Sequence, residues 1–394
     1  MPESMQNNLR ARMTEELESL REDSQLRALD HLGGVNLCSN DYLGLASDAR
    51  LKQATLEAVG HTEAVGSTGS RLLSGNSAAW ERIETEFAAF VGTEAALYFG
   101  SGYAANLGLL SSVLKPGDVV FSDALNHASL IDGTRLSGAE KVIYPHGDME
   151  FLEKALRERV EIAGAKVIVT ETVFSMEGDV APLKALIRLA KQYGAELVVD
   201  EAHATGVCGP EGRGIAAELG AERELLAIVH TCGKALASAG AFVCCGNDLK
   251  NYLVNRARTF IFSTAMPPYM AGQIRASLAI ARAADDRRAH LRNLSAALRE
   301  KLCAAGIASA PGATHIIPVF LGSNEAALHV ATQLQANGFA AKAIRPPTVP
   351  AGTARVRISL TSRITMEEIE RLADVIARAE KSLALPSSAS AVHA

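Results

Sequence analysis

Seven short apolar runs, at 95–99, 118–122, 140–144, 166–170, 196–200, 226–230 and 240–245, limit what this chain can fold into more than any other feature. Most are continuously apolar instead of alternating, so both faces of the sheet they build need cover, and helical stretches between the runs supply it. The pattern predicts an α/β fold, a mainly parallel seven-stranded sheet with helices on both faces. Ligands of such sheets bind beyond the carboxyl ends of the strands. The polar residues that close the runs are therefore where chemistry is expected.

Around this sheet the chain divides into four stretches. Residues 1–45 read as a charged, helical N-terminal arm whose thin apolar stripe, Leu17, Leu20 and Leu26, packs it across a larger body. Residues 46–280 hold the seven runs and form the large domain. Past Ala265-Met266-Pro267-Pro268 the pattern becomes a long helical region, an apolar run at 314–321, a helix near 324–337 and strands near 339–344 and 354–360. That is a smaller C-terminal α+β domain, 281–385. Its last helix opens on a capping box, Thr365 with Glu368 three residues on. The Ser/Ala-rich tail, 386–394, is expected to be disordered.

Composition narrows the function classes. With 394 residues, 48% hydrophobic and 21% charged, the chain can bury a substantial core. A net charge of -5 argues against nucleic acid as a partner. The six cysteines, Cys38, Cys208, Cys232, Cys244, Cys245 and Cys303, show no C-x-x-C spacing, which suggests reduced thiols and neither a zinc ribbon nor a disulfide framework. No metal site is expected. No uncharged run approaches the roughly 20 residues that span a bilayer, and no N-terminal segment resembles a signal peptide. A cytoplasmic protein with no membrane partner is the expectation.

Two strand ends carry the most specific chemistry. One run closes as Val198-Val199-Asp200-Glu201-Ala202-His203, and another as His230-Thr231-Cys232-Gly233-Lys234. A lysine after one buried strand can form a Schiff base with a cofactor aldehyde, and an aspartate ending its neighbour can hold a pyridine nitrogen protonated. Together they point to pyridoxal 5'-phosphate and to chemistry at an amino-acid α-carbon. The same Asp-Glu-Ala-His also spells a helicase metal box, which needs a phosphate loop G-x-x-x-x-G-K-[ST]. Here Ile228 stands where the first glycine is required and Ala235 where the hydroxyl is required, so that reading fails. Gly100-Ser101-Gly102-Tyr103-Ala104-Ala105 follows a strand and matches a degenerate dinucleotide fingerprint, with Asp123 as the ribose acid. An NAD-dependent dehydrogenase built on it would leave Lys234 and His203 unexplained, whereas a glycine loop opening a helix suits any phosphate. His127, in Asn126-His127-Ala128-Ser129, and Glu171 and Ser175, after the 166–170 run, add polar groups at further strand ends.

Read together with Ser39-Asn40-Asp41-Tyr42-Leu43-Gly44-Leu45 and Gly66-Ser67-Thr68-Gly69-Ser70-Arg71, these segments resemble the α-oxoamine synthases, fold-type I pyridoxal phosphate transferases, from about residue 10 to about residue 380. The resemblance implies that Lys234 is the Schiff-base lysine, Asp200 the pyridine-nitrogen partner, His203 the donor to the ring oxygen, and His127 the residue stacked on the ring. It places Gly102 and Tyr103 at the cofactor, Thr231 at its phosphate and Ser175 at its polar edge. Thr264, in Phe262-Ser263-Thr264, would reach the neighbouring subunit's phosphate in a homodimer with shared active sites. Substrate contacts would fall on Arg27, Asn40, His127, Arg345 and Thr348. Within the family, Arg345-Pro346-Pro347-Thr348-Val349-Pro350-Ala351-Gly352-Thr353 is most similar to the branch that joins L-alanine to a pimeloyl thioester, on coenzyme A or a carrier protein, in biotin biosynthesis. The implied reaction is a decarboxylative condensation to 8-amino-7-oxononanoate, carbon dioxide and free thiol. In it the prolines hold their segment extended and Arg345 offers a planar fork to the amino-acid carboxylate. Other branches, which condense glycine or serine with acetyl, succinyl or palmitoyl thioesters, share every motif except this last one.

Overall fold

The computed structural model describes residues 9–310, 312 and 314–383, so residues 1–8 and the 386–394 tail lie outside the described residues. Seven strands form the central sheet: β2 (Ala95–Phe99), β3 (Val119–Asp123), β4 (Glu140–Tyr144), β5 (Lys166–Glu171), β6 (Glu196–Asp200), β7 (Ala227–Thr231) and β8 (Ala241–Cys245). Each begins and ends within one residue of its predicted run. The order is β2-β8-β7-β6-β5-β3-β4. Pairings from β7 to β4 are parallel, and β8 runs antiparallel to both β2 and β7.

Continuous apolarity has the expected cause. Leu197 and Val199 belong to one core cluster and Val198, between them, to another on the opposite face. Helices Ala78–Val91 and Leu183–Tyr193 cover the first face with Ile83, Phe87, Leu186 and Leu189. Helices Gly102–Val113 and Ala128–Ser137 cover the second with Leu109, Leu110 and Leu130. The strand ends β5, β6 and β7 therefore open side by side at one edge of a doubly covered sheet.

The smaller α+β part is a three-stranded antiparallel sheet of order β11-β12-β9, from β9 (Ile316–Gly322), β11 (Ala343–Ile344) and β12 (Ala354–Ser359). Helices Asn324–Ala336 and Met366–Leu383 pack beside it. The predicted capping box is formed: Glu368 N–H donates to Thr365 Oγ1 at 3.2 Å and Thr365 N–H to Glu368 Oε2 at 2.8 Å. The predicted strand at 339–344 is two pieces, because β10 (Phe339–Ala340) pairs in parallel with β1 (Val35–Asn36) while β11 pairs with β12.

The N-terminal arm differs from expectation. It is helical only over Leu9–Glu22 among the described residues, and that helix buries no residue. Leu17 is 50% and Leu26 37% exposed, since the stripe is too thin to compete with a charged helix's hydration. What ties the arm to the body is its non-helical end, through β1. Among the described residues no helix is long and apolar enough to cross a membrane.

Candidate active site

The strand period of two decides which acid at the end of β6 serves the site. Asp200 turns to the side where Asn106 Nδ2 donates to its Oδ2 at 2.6 Å and the Ala202 N–H to its Oδ1 at 2.8 Å. Glu201 turns the other way and accepts the Ile215 and Ala216 N–H groups. Asn106, one turn into helix Gly102–Val113, also donates to Ser129 Oγ at 2.9 Å. That leaves the Ser129 hydroxyl to donate to His127 Nδ1 at 2.8 Å, where the Ser129 N–H also arrives. His127 thus keeps its ring proton on Nε2. Its accessible face opens into a cavity walled by protein, so burial lowers its pKa, opposed by the Asp200 charge and reinforced by Lys234.

His203 is buried, and the Tyr42 hydroxyl lies 2.5 Å from its Nδ1. Burial drives the His203 pKa well below its ordinary value, with further lowering by the Lys234 and Arg357 charges. Burial also pushes the Tyr42 phenol up to about 12. The Tyr42 hydroxyl also donates to Asn40 Oδ1 at 3.1 Å, so this one group ties the His203 ring to Asn40. Tyr42 therefore fixes the orientation of the His203 ring. Its position in the Asp41-Tyr42-Leu43 hallmark was legible, but this role was not.

Lys234 follows β7 in a tight loop closed by Ser238 N–H to Cys232 O at 2.8 Å and Cys232 N–H to Gly240 O at 2.9 Å. Burial lowers its pKa, against the raising effect of Asp200 and Glu171 and with a further lowering by Arg357. No hydrogen bond or ion pair holds its ammonium among the described residues. Glu171, ending β5 beside Asp200, is almost fully buried and its Oε1 has no hydrogen-bond partner. Burial, and then the Asp200 charge, raise its pKa well above the ordinary carboxylate value.

Opposite the lysine, Ser101 caps helix Gly102–Val113 by accepting the Ala104 N–H at 3.0 Å, and the first-turn amides face outward. A Cβ on Gly102 would stand 2.7 Å from Thr231 Cγ2, so only glycine lets the helix start come this close to β7. Tyr103 donates its hydroxyl to Asp132. A cavity of about 400 Å³ joins Asn40, Gly102, Tyr103, His127, Asp200, His203, Thr231 and Lys234, eight of the predicted site residues. The dinucleotide reading of Gly100–Ala105 has no support here, because the strand before it, β2, pairs antiparallel with β8 and starts no parallel βαβ unit.

Five predicted residues stand outside that cavity. Arg27 Nη2 donates to Thr348 Oγ1 at 2.9 Å, and Arg345 donates to the Ser24 carbonyl, so these three form a cluster between arm and C-terminal loop. The Arg345–Thr348 segment is not extended; Thr348 N–H closes a turn onto Arg345 O at 3.1 Å. Thr264 is exposed and bridges Ser70 in the 66–71 loop. Ser175 contributes its carbonyl, to Arg357 Nε. Arg357, on β12, is the residue that reading the sequence missed. Its guanidinium is buried, with Asn40 Oδ1 at 3.1 and 3.2 Å and the Ser175 carbonyl as partners. No carboxylate pairs with it among the described residues. It is a buried cation held only by neutral groups, and its charge is felt by both Lys234 and His203.

Fold and site together define a fold-type I transferase scaffold: the family described as Aminotransferase class I and II matches residues 33–376, and the chain belongs to it. Within that class the chain is similar to 8-amino-7-oxononanoate synthases. That of Geobacter sulfurreducens is 43% identical over 385 residues, covering 94% of this chain and 98% of that protein. That of Aromatoleum aromaticum is 47% identical over 343 residues, covering 87% and 88%. Among solved structures, an 8-amino-7-oxononanoate synthase from Francisella tularensis superposes with a TM-score of 0.78 at 29% identity, covering 89% of this chain and 99% of that one. A serine palmitoyltransferase from S. paucimobilis with a bound PLP–myriocin aldimine reaches 0.88 at 29% identity, covering 96% and 99%.

Proposed function

We propose that this chain condenses L-alanine with a pimeloyl thioester, with loss of carbon dioxide and release of the free thiol, to give 8-amino-7-oxononanoate in biotin biosynthesis. The observation that carries the reading is a weakened lysine ammonium facing a locked aspartate in one cavity, in a chain 43% identical along 98% of a synthase named for that product.

The residues present fit pyridoxal 5'-phosphate. The glycine cradle at Gly102 beside Thr231 and the helix start offer an anion site for its phosphate, Asp200 a carboxylate for its ring nitrogen, and Lys234 an amine for its aldehyde. When bound, the cofactor supplies a sink for negative charge developing at the amino-acid α-carbon. His203 would offer a ring N–H to the ring oxygen, its ring held in place by Tyr42. His127 lies along the cavity wall, where it packs on the ring. Arg357 binds the alanine carboxylate, with Asn40 holding the guanidinium plane. Lys234, its basicity lowered by burial, takes the α-proton and later returns one.

Arg27, Thr348 and Arg345 then line the approach of the acyl chain from the arm side. The protein works as a homodimer in the cytoplasm. Leu73 at 85% and Phe262 at 71% exposure, on segments bridged through Ser70 and Thr264, support a partner covering that edge and Thr264 serving its site. Six free cysteines suit a reducing compartment.

Borohydride reduction of the holoenzyme, followed by peptide mapping, tests the site assignment. The label is expected on Lys234. A label on another lysine contradicts the account.

A further inference from the structure

A second cavity, of about 800 Å³, lies behind the cofactor site, between the start of helix Leu183–Tyr193, the 207–219 segment and helix Asp285–Ala304. Its volume is in the range of small-molecule sites, about 300–1,000 Å³. Leu183, Val207, Ile215, Leu219 and Leu291 give it an apolar wall. Lys184 and Arg292 stand exposed among its lining, neither in an ion pair among the described residues, with Glu218 as the one lining acid. Nothing in the proposed reaction uses this space.

One further lining residue is His315. It is 3% exposed, and its Nε2 has no hydrogen-bond partner. Burial, then the Arg357 and Arg299 charges, pull its pKa down to about 3, so the ring is neutral. The same ring packs edge-on against Tyr42, with centroids 3.9 Å apart. Tyr42 in turn makes the 2.5 Å contact to His203 Nδ1. Two aromatic contacts thus connect the second cavity to the catalytic histidine.

We propose that this cavity is a binding site for an amphipathic carboxylate, and that its occupancy is transmitted through His315 and Tyr42 to His203. The carboxylate pairs with Lys184 and Arg292, and the aliphatic body lies on the leucine and valine wall and against the edge of the His315 ring that lines the cavity. Such a ligand acts as an effector, because it alters the hydrogen bond to His203 without touching the cofactor cavity. The coupling is reciprocal: whatever changes the His203 environment changes the affinity of the second site. The proposal does not depend on which acyl thioester the enzyme uses.

The test is calorimetric titration of the holoenzyme with 8-hydroxyoctanoate, with and without saturating L-alanine, alongside the cofactor absorbance spectrum. One site per chain is expected, bound in the presence of alanine, with a change in the spectrum. The double variant Lys184→Ala/Arg292→Ala, both exposed positions, should weaken binding at least tenfold. His315→Phe, which keeps a ring against Tyr42, should retain measurable binding while losing the spectral change. Leu219→Trp, which fills the cavity, should abolish binding and leave the spectrum of the unliganded holoenzyme unaltered. Binding that alanine displaces, binding that the double variant and Leu219→Trp leave intact, or no binding at all would overturn the site. Binding without any spectral change in the wild type would overturn the coupling.

Discussion

Asp200 holds its place through Asn106, a residue 94 positions earlier, and that dependence separates its electronic role from a structural one. Asp200→Asn keeps the shape while removing the charge, although its single amide oxygen can accept from only one of the two donors, Asn106 Nδ2 and the Ala202 N–H. A fall of about 10²-fold in kcat is expected, equal to about 2.7 kcal/mol of transition-state stabilisation, together with loss of alanine α-proton exchange. Unchanged exchange would make Asp200 structural. For Arg357 the expectation is a KM effect: Arg357→Lys loses the bidentate fork and should raise KM for alanine about tenfold or more with a smaller change in kcat. Arg345→Lys, outside the cavity, should leave the alanine KM alone, and the reverse pattern would restore the carboxylate role to Arg345. The signal for Arg357 was present in the sequence. In Ala354–Ser359 the apolar Ala354, Val356 and Ile358 alternate with Arg355, Arg357 and Ser359, and a period-two reading puts both arginines on one face. Reading 354–360 as a strand without following its alternation left that face out of the site.

Among the elements, the loop after β5 is where the sheet hands over to the site, and a histidine clamps it. His146 Nδ1 and Nε2 each lie 2.9 Å from a carboxylate, Asp123 at the end of β3 and Asp179 beyond the Ser175 turn. Burial lowers its pKa, but the two carboxylates outweigh burial and raise it to about 10. With a folded value above the unfolded one of about 6.5, the clamp contributes stability that is fully present below that value and is lost as pH rises through about 10. Thermal melts of wild type and His146→Gln should therefore differ most near pH 6 and converge above pH 10; a gap that stays constant across this range would contradict the clamp. Strand existence and bounds in the sheet were legible because fully buried strands leave continuous apolar runs. Pairing was not legible: nothing in Phe339–Ile344 says that its two halves join different sheets, since the partners, Val35–Asn36 and β12, are chosen by tertiary packing.

Across the whole molecule, the seven-stranded sheet and the smaller α+β part both follow the sequence pattern, and the lysine–aspartate pair was legible from strand ends alone. The hold of residues 9–36 of the arm was not, because it consists of a two-residue backbone ladder and polar contacts such as Arg27–Thr348, Arg345–Ser24 and Lys342–Asp30, which leave no hydrophobic signature; only further along do Leu37, Tyr42, Leu43 and Leu45 enter the core. The acyl specificity belongs to this scale, since the proposed approach of the acyl chain involves arm, loop and cavity together. A pimeloyl group offers roughly five methylenes at about 0.8 kcal/mol each, so full burial favours it over a short acyl group by about 4 kcal/mol, near 10³ in kcat/KM. The most direct test is kcat/KM of the holoenzyme for L-alanine, glycine and L-serine, each against pimeloyl, acetyl and palmitoyl thioesters, with carbon dioxide release followed. The account predicts that alanine with the pimeloyl thioester exceeds every other pair by at least 10²-fold; a preference for glycine with acetyl, or for serine with palmitoyl, would contradict it.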